Sequence, residues 1–138
     1  MKFRAYVDGA ARYNPGPAGA GVYVESDGTR PAEELFEALG LTTNNVAEYR
    51  ALILALRRAE ELHADEVEIL SDSRLMVEQM NGRFRVKAEH LKLLLSEAVQ
   101  RAKRFRKFSV KHIRREANTN ADRLANQGAD VSEGLSRP

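Results

Sequence analysis

The sequence predicts an α/β fold, built on a five-stranded mixed sheet that carries helices on both faces. Residues 2–41 contain three segments of strand character separated by turn residues, which indicates an antiparallel meander. From residue 44 onwards, helical and strand patterns alternate along the chain. Such alternation adds later strands to one sheet and covers that sheet with helices.

Three strands are predicted in the meander, over residues 2–9, 19–25 and 32–41, from alternation and from aromatic and β-branched residues. An Asn-Pro-Gly-Pro segment at residues 14–17 enforces the first turn, and Asp-Gly at residues 27–28 is a hairpin signal. The three strands are therefore expected to pair consecutively.

The second half begins with a helix from Asn44 to about His63, where apolar residues recur at helical spacing. The later elements are predicted as a buried strand (66–71), a short helix (73–81), a long helix (through 91–105), a fifth strand (107–114) and a last helix (118–129). Residues 1–130 are expected to form one domain and residues 131–138 a flexible tail.

Composition excludes several classes of function. The 138 residues are 43% hydrophobic, which fits one folded domain. There is no cysteine, so disulfides, zinc thiolates and thiol nucleophiles are excluded, and a reducing compartment is permitted. No apolar run approaches the ~20 residues of a membrane span, and the N-terminus leads straight into a strand pattern. We expect a cytoplasmic monomer with no membrane partner.

Basic residues are concentrated in one segment, although the net charge is only +2. Residues 101–115 contain eight cations and no acid: Arg101, Lys103, Arg104, Arg106, Lys107, Lys111, Arg114 and Arg115. Such a segment can attract a polyanion. It can equally be a solvated helix face followed by an edge strand protected by lysines, and charge alone slightly favours this second interpretation.

Four carboxylates lie at predicted element boundaries: Asp8, Glu48, Asp72 and Asp122. Acids at strand ends and helix starts can converge at one edge of a sheet even when they are far apart in sequence. Hard oxygen ligands gathered in this way suit Mg²⁺ or Mn²⁺. Two such ions a few Å apart are a common device for cutting phosphodiesters.

Each acid also has a structural alternative. The structural alternative is weakest for Asp8, because an ionised carboxylate at the end of a central strand is costly unless it is paired or binds a metal. Glu48 and Asp122 each fit a capping-box pattern, and Asp72 is a candidate N-cap for the helix that begins at Ser73. Taken singly, these three are better explained as capping residues, but a capping acid can still offer an oxygen to a metal.

The motifs around these acids resemble the type 1 ribonuclease H family over roughly residues 3–130. The resemblance is carried by residues 6–9 (Tyr-Val-Asp-Gly), 14–19 (Asn-Pro-Gly-Pro-Ala-Gly), 42–48 (Thr-Thr-Asn-Asn-Val-Ala-Glu), 71–73 (Ser-Asp-Ser) and 118–125 (Asn-Thr-Asn-Ala-Asp-Arg-Leu-Ala). Each motif is weak alone, and their order and spacing make the signal strong.

The resemblance implies the ribonuclease H-like fold, with strands four and five parallel to strand one. It also implies cleavage of the RNA strand of RNA–DNA hybrids by two-metal hydrolysis, which leaves 5′-phosphate products. In this interpretation Asp8, Glu48, Asp72 and Asp122 are catalytic and hold two Mg²⁺ (or Mn²⁺) ions, and Asp8 bridges both ions.

The resemblance further implies the substrate contacts. The positions expected to touch the hybrid are Gly9, Asn14, Thr43, Asn44, Asn45 and Arg74. Thr43 matches a position that binds a phosphate of the DNA strand, whereas Arg74 stands where the family often has glutamine. Contacts to ribose 2′-hydroxyl groups would distinguish RNA from DNA.

Two departures from the family pattern concern affinity and product release. A Trp-containing basic extension is absent, and only residues 83–87 (Arg-Phe-Arg-Val-Lys) stand there. His112 is followed by predicted strand instead of a Gly-flanked loop, so His112, Arg114 and Arg115 are only candidates for product release. Compact members of the family lack this extension, and some also cut double-stranded RNA. The rival interpretations are a nuclease that prefers double-stranded RNA, a hybrid-binding module with little turnover, and a structural domain.

Overall fold

The computed structural model describes residues 1–135. Its strands are β1 (Lys2–Ala11), β2 (Gly16–Val24), β3 (Glu33–Thr42), β4 (Glu66–Ser71) and β5 (Lys107–His112). Its helices are α1 (Asn44–Glu61), α2 (Arg74–Met80), α3 (Glu89–Ala102) and α4 (Thr119–Leu135), with a 3₁₀ turn at Arg115–Ala117. None of the described helices is long and apolar enough to cross a membrane.

The five strands form one mixed sheet in the order β3-β2-β1-β4-β5. β1 pairs antiparallel with β2, and β2 pairs antiparallel with β3. β4 runs parallel to β1, and β5 runs parallel to β4. The predicted fold class is therefore confirmed, including the meander and the two later parallel strands.

The core fills the space between one face of the sheet and α1. The residues of β1 with odd numbers, Phe3, Ala5 and Val7, are fully buried on this face. They meet the apolar side of α1, which includes Tyr49 and Leu52. Asp8 has the opposite parity in β1, as the sequence predicted.

Helix α4 covers the other face through glycines of β2. A Cβ atom at Gly19 would lie 2.2 Å from the backbone oxygen of Ala125, and one at Gly21 would lie 2.4 Å from that of Ala121. Only glycine permits this close approach. Because Gly21 pairs with Asp8 across β1 and β2, the contact also brings the first turn of α4 towards Asp8.

Several predicted boundaries were wrong: β1 runs on to Ala11 instead of residue 9, β2 begins at Gly16 instead of residue 19, and the ends of β5 and α4 also differ. β5 ends at His112, two residues before the predicted end, because the Ile113 N–H makes a last hydrogen bond to Ser71, where β4 also ends. Helix α4 continues to Leu135, through residues 131–135 of the expected tail. The buried Ser132 hydroxyl holds it there, because it donates to the Ala18 carbonyl at 2.6 Å and accepts from the Gly40 N–H at 2.9 Å. The rest of the predicted tail, 136–138, lies outside the described residues.

Candidate active site

Three of the four predicted acids meet at the carboxyl ends of β1 and β4. Val7 and Ser71 are paired in the parallel ladder, so Asp8 and Asp72 follow side by side. Glu48 joins them from the first turns of α1, and the three residues each offer an oxygen within 4.8 Å of the others. Gly9 makes this possible, because a Cβ there would lie 2.3 Å from the backbone nitrogen of Glu48.

The fourth acid, Asp122, enters from α4 and lies close enough to Asp8 to raise the pKa of the Asp8 carboxyl group. Asn118 fixes the start of this helix, since its side-chain Nδ2 donates to the Val7 carbonyl at 2.9 Å. The Asn118 carbonyl in turn accepts from the Asp122 N–H at 3.1 Å. One turn later, Asn126 donates to the Asp122 carbonyl at 2.9 Å and lies 3.5 Å from Asp122 Oδ1.

The four acids line a single cleft of about 460 Å³. The cleft is mostly polar, and its walls come from β1, α1, the segment after β4, the 3₁₀ turn and α4. The lining residues are Asp8, Gly9, Ala10, Ala11, Asn44, Glu48, Asp72, Arg115, Asp122 and Asn126.

The environment of the cleft opposes the ionisation of its carboxyl groups. Burial raises the pKa of Asp8 to about 8, and the neighbouring Asp72 and Asp122 add to the shift. Burial also raises the pKa of Glu48 well above its usual value, with further contributions from Asp8 and Asp72. The Gly9 N–H opposes both shifts but does not cancel them. A bound cation would reverse this balance by favouring the ionised carboxylates.

The donor set fits a hard divalent cation. Glu48 Oε2 is buried and has no hydrogen-bond partner among the described residues, which is costly for a polar atom unless a ligand occupies that position. The carboxylate oxygens of Asp8, Glu48 and Asp72 are the ligand type that Mg²⁺ and Mn²⁺ prefer, and no sulfur or imidazole joins the cluster.

Helix capping does not explain Glu48 or Asp72. The side chain that caps α1 is Thr43, which accepts from the Val46 N–H at 3.3 Å, and Ser73 caps α2 by accepting from Met76 N–H at 3.3 Å. The capping interpretation of Glu48 and Asp72 is therefore wrong.

The predicted substrate contacts fall into two groups. Asn14 and Asn44 form a bridge beside the cleft: the Asn44 side-chain oxygen accepts from the Ala11 N–H at 2.8 Å, and the Asn14 side-chain oxygen accepts from the Asn44 N–H at 2.9 Å. Gly9 lines the cleft itself. Thr43 and Asn45 stand at the start of α1, where Asn45 is exposed.

The remaining predicted residues are spread around the cleft. Arg115 lines it from the start of the 3₁₀ turn. His112, Arg114 and Arg74 are exposed, and none of them is among the described residues that line the cleft. The structure therefore brings one of the three product-release candidates to the acids.

Half of the basic segment is occupied by intramolecular ion pairs. Arg101 and Arg104 contact Glu60 at 3.2 and 3.4 Å. Arg106 contacts Glu66 at 2.7 Å, and Lys111 contacts Glu68 at 3.0 Å. Within residues 1–135, Lys103, Lys107, Arg114 and Arg115 have no such partner. The structural interpretation, a helix face followed by an edge strand, therefore applies to the paired cations. Arg114 and Arg115, the unpaired cations nearest the cleft, remain available to a polyanion.

Two residues of the site were not singled out by the sequence. Asn118 was noted only as part of a motif, and its side chain ties α4 to β1. Asn126 lines the cleft one helical turn after Asp122. The helical spacing of four residues could have identified Asn126, because side chains at i and i+4 share a face.

The comparisons with known proteins agree with this architecture. The family model described as reverse transcriptase-like matches residues 6–128. The chain is 45% identical over 133 residues to the bifunctional protein Rv2228c of Mycobacterium tuberculosis, an alignment that covers 96% of this chain and 36% of that protein. It is 31% identical to the ribonuclease H of Pseudomonas fluorescens, covering 96% of this chain and 95% of that protein.

Solved structures show the same likeness. The N-terminal RNase H domain of Rv2228c, solved as a fusion with maltose binding protein, has a TM-score of 0.93 at 42% identity, covering 99% of both chains. LC11-RNase H1 in complex with an RNA/DNA hybrid has a TM-score of 0.85 at 38% identity, covering 97% of this chain and 99% of that one. The chain spans about a third of the length of full-length Rv2228c.

The mixed sheet, its strand order and the four acids at the ends of β1 and β4 and on α1 and α4 define a ribonuclease H-like protein. The family match and the relatives cover almost the whole chain. The chain belongs to the type 1 ribonuclease H family.

Proposed function

We propose that the protein is a metal-dependent endoribonuclease that hydrolyses the RNA strand of RNA–DNA hybrids and leaves 5′-phosphate products. The observation that carries the proposal is the convergence of Asp8, Glu48 and Asp72 within 4.8 Å, with Asp122 in the same cleft. A catalytically idle domain would gain nothing from this arrangement, because burial and mutual repulsion oppose it.

Mg²⁺ is the cofactor that we propose, with Mn²⁺ as a substitute and two ions bound when substrate is present. Asp8, Glu48, Asp72 and Asp122 would hold the ions, with Asp8 central to the group. Bound divalent ions lower the pKa of an attacking water and stabilise the leaving oxygen. The unpartnered Glu48 Oε2 and the raised pKa of Asp8 both support a cation at this position.

The other residues of the chain position the acids and the substrate. Gly9 allows α1 to approach β1, and Asn118 sets the position of Asp122. The bridge from Asn14 to Asn44 holds the β1–β2 turn beside the cleft, so that these amides and Asn45 can contact the sugar of the RNA strand. Arg115 supplies a cation at the cleft for a backbone phosphate.

A hybrid substrate is supported by the likeness to LC11-RNase H1, whose solved complex contains an RNA/DNA hybrid. Recognition through ribose hydroxyls and phosphates predicts little sequence preference and a strong salt dependence.

Double-stranded RNA is a second candidate substrate, because the connection between α2 and α3 is short. In that connection Val86 is buried in the core, and Arg83 is paired with Glu78 at 3.1 Å. Only Arg85 and Lys87 are left as exposed cations without an ion pair in this described segment. A protein without a basic extension holds the DNA strand less tightly, which would relax its preference for a hybrid.

The substrate proposal is tested by offering Mg²⁺-loaded protein three labelled duplexes of the same sequence and length: RNA–DNA, RNA–RNA and DNA–DNA. We expect RNA-strand cleavage of the hybrid to be fastest, with 5′-phosphate ends, and no cleavage of the DNA duplex. Faster cleavage of the RNA duplex would replace the first proposal by the second. Tight hybrid binding without cleavage would favour a binding module.

We also propose that the protein acts as a monomer in the cytoplasm. A cysteine-free chain suits a reducing compartment, and the four acids of the cleft come from one chain. Sedimentation with and without a short hybrid tests the monomeric state, because a dimer under either condition would contradict it. Fractionation of source cells tests the cytoplasmic location.

A further inference from the structure

Tyr13 is the most exposed large hydrophobic residue of the described structure. It is 89% exposed at the tip of the turn between β1 and β2. Within residues 1–135 its ring makes no hydrogen bond, ion pair or aromatic contact. An aromatic ring left entirely in water contributes little to folding, so its presence at this tip calls for another explanation.

The backbone of Tyr13 is held in an unfavourable conformation. Its φ is +58°, in the left-handed region that glycine adopts readily and bulky residues avoid. Both neighbours are anchored: Arg12 pairs with Asp130 and Glu133 of α4 at 2.6 Å, and Asn14 accepts from the Asn44 N–H. Backbone strain that neighbouring contacts hold in place in this way is concentrated at functional sites of proteins.

The tip lies beside the cleft. Tyr13 is five residues after Asp8, and a chain of that length spans at most ~18 Å. At about 3.4 Å per base step, this distance corresponds to roughly five nucleotides along a bound strand. Ala11, two residues earlier, still lines the cleft. A duplex that extends from the cleft on the side of Ala11 would therefore pass the ring of Tyr13.

We propose that Tyr13 is a substrate-binding residue whose ring packs against the backbone sugars of the hybrid, a few nucleotides from the cut. The proposal rests on the proposed function and deepens it, because it gives the protein a second contact outside the acid cluster. Packing against backbone sugars tolerates any sequence, since sugar contacts carry no sequence information. The contacts of Arg12 and Asn14 hold Tyr13 in its unfavourable backbone conformation. In this conformation the ring is presented to the substrate.

His63 provides a matched control. It is also exposed, and its φ of +56° is nearly the same. It follows the end of α1, whose 18 residues extend about 27 Å away from Asn44 at the cleft. A substitution at His63 therefore repeats the backbone change of a Tyr13 variant without touching the substrate path.

The direct test uses tryptophan as a reporter, because the chain has none. Tyr13→Trp and His63→Trp are each made in the inactive Asp8→Asn background and titrated with a 12–20 base-pair hybrid in Mg²⁺, with binding followed independently by hybrid anisotropy. We expect emission from Tyr13→Trp to change with the bound fraction and emission from His63→Trp to stay constant. Binding without an emission change at Tyr13→Trp would overturn the proposal.

Cleavage by the otherwise wild-type protein gives a second test. Tyr13→Gly should raise KM for the hybrid about five- to tenfold, the loss expected when a partly buried aromatic ring is removed, with kcat and melting temperature not reduced. Tyr13→Phe should restore KM, and His63→Gly should leave it unchanged. Equal KM values for Tyr13→Gly and wild type would overturn the contact while leaving the proposed function intact. If the wild-type protein cuts no hybrid, the proposed function fails and this contact fails with it.

Discussion

Replacing Asp8 by asparagine is expected to stabilise the metal-free protein at neutral pH. In the folded protein, burial, Asp72 and Asp122 raise the pKa of Asp8 from 3.8 to about 8. Between these two values the folded state keeps a proton that the unfolded state has lost. The free energy of unfolding must therefore fall as the pH rises through this interval.

The magnitude follows from the same shift. The interval from 3.8 to pH 7 corresponds to about 4 kcal/mol, at about 1.4 kcal/mol for each pH unit. Asp8 is only 6% exposed, so solvent screens little of this penalty. Asparagine has nearly the same shape and no charge to bury. Asp8→Asn should then be more stable than wild type by up to about 4 kcal/mol at pH 7, and by almost nothing near pH 4.

The assay is urea unfolding of both proteins in EDTA at a series of pH values from 4 to 8. The wild-type free energy of unfolding should decrease across this range more steeply than that of Asp8→Asn. Adding Mg²⁺ at pH 7 should stabilise wild type more than the variant, because a ligand that binds only the folded state adds to its stability. Parallel pH profiles of the two proteins would refute the reasoning.

Three further predictions concern residues around the site. Gly21→Ala places a Cβ 2.4 Å from the backbone of α4, so we expect a loss of ~1–3 kcal/mol in unfolding free energy. Because the shift of α4 would also move Asp122, hybrid cleavage should drop about 100-fold. An unchanged kcat would show that the position of Asp122 does not depend on this contact. Ser132→Ala leaves the Gly40 N–H and the Ala18 carbonyl unpaired and should cost ~1–3 kcal/mol in urea unfolding, with kcat unaltered. Arg115→Ala should raise KM and reduce the log–log salt slope of hybrid binding by about one, and an unchanged slope would exclude a phosphate contact.

The strands and the acids could be predicted from the sequence because each depends on local pattern. Alternation in β1 puts Phe3, Ala5 and Val7 on one face and leaves Asp8 on the other, and the structure confirms this parity. The spacing of apolar residues in the second half gave α1 and β4 for the same reason.

Element ends depend on partners that the local pattern does not contain. β5 stops at His112 because β4, the strand beside it in the sheet, stops at Ser71. Helix α4 passes the expected end because Ser132 bonds to backbone groups of β2 and β3. The start of α1 at Asn44 was predicted correctly, but its cap was not, because the pattern at residues 45–48 fits a capping box whereas Thr43 makes the capping hydrogen bond.

The electrostatics of the site also escape sequence analysis. The raised pKa values of Asp8 and Glu48 arise from burial and from carboxylates brought together by tertiary contacts. Those contacts depend on Gly9 and Gly21, whose missing side chains let two helices touch the sheet. The motifs gave the identity of the acids, and the packing of α1 and α4 gave their separation.

The most direct test of the account is cleavage of a hybrid labelled on the RNA strand, with Mg²⁺, Mn²⁺ or EDTA, by wild type and by single variants of the four acids. The account predicts metal-dependent cleavage by wild type, none in EDTA, and a loss of at least about 1,000-fold in Asp8→Asn, whose fold is verified by its unfolding curve. Cleavage that persists in EDTA, or at an undiminished rate in Asp8→Asn, would contradict the claim that the acid cluster holds the catalytic metal.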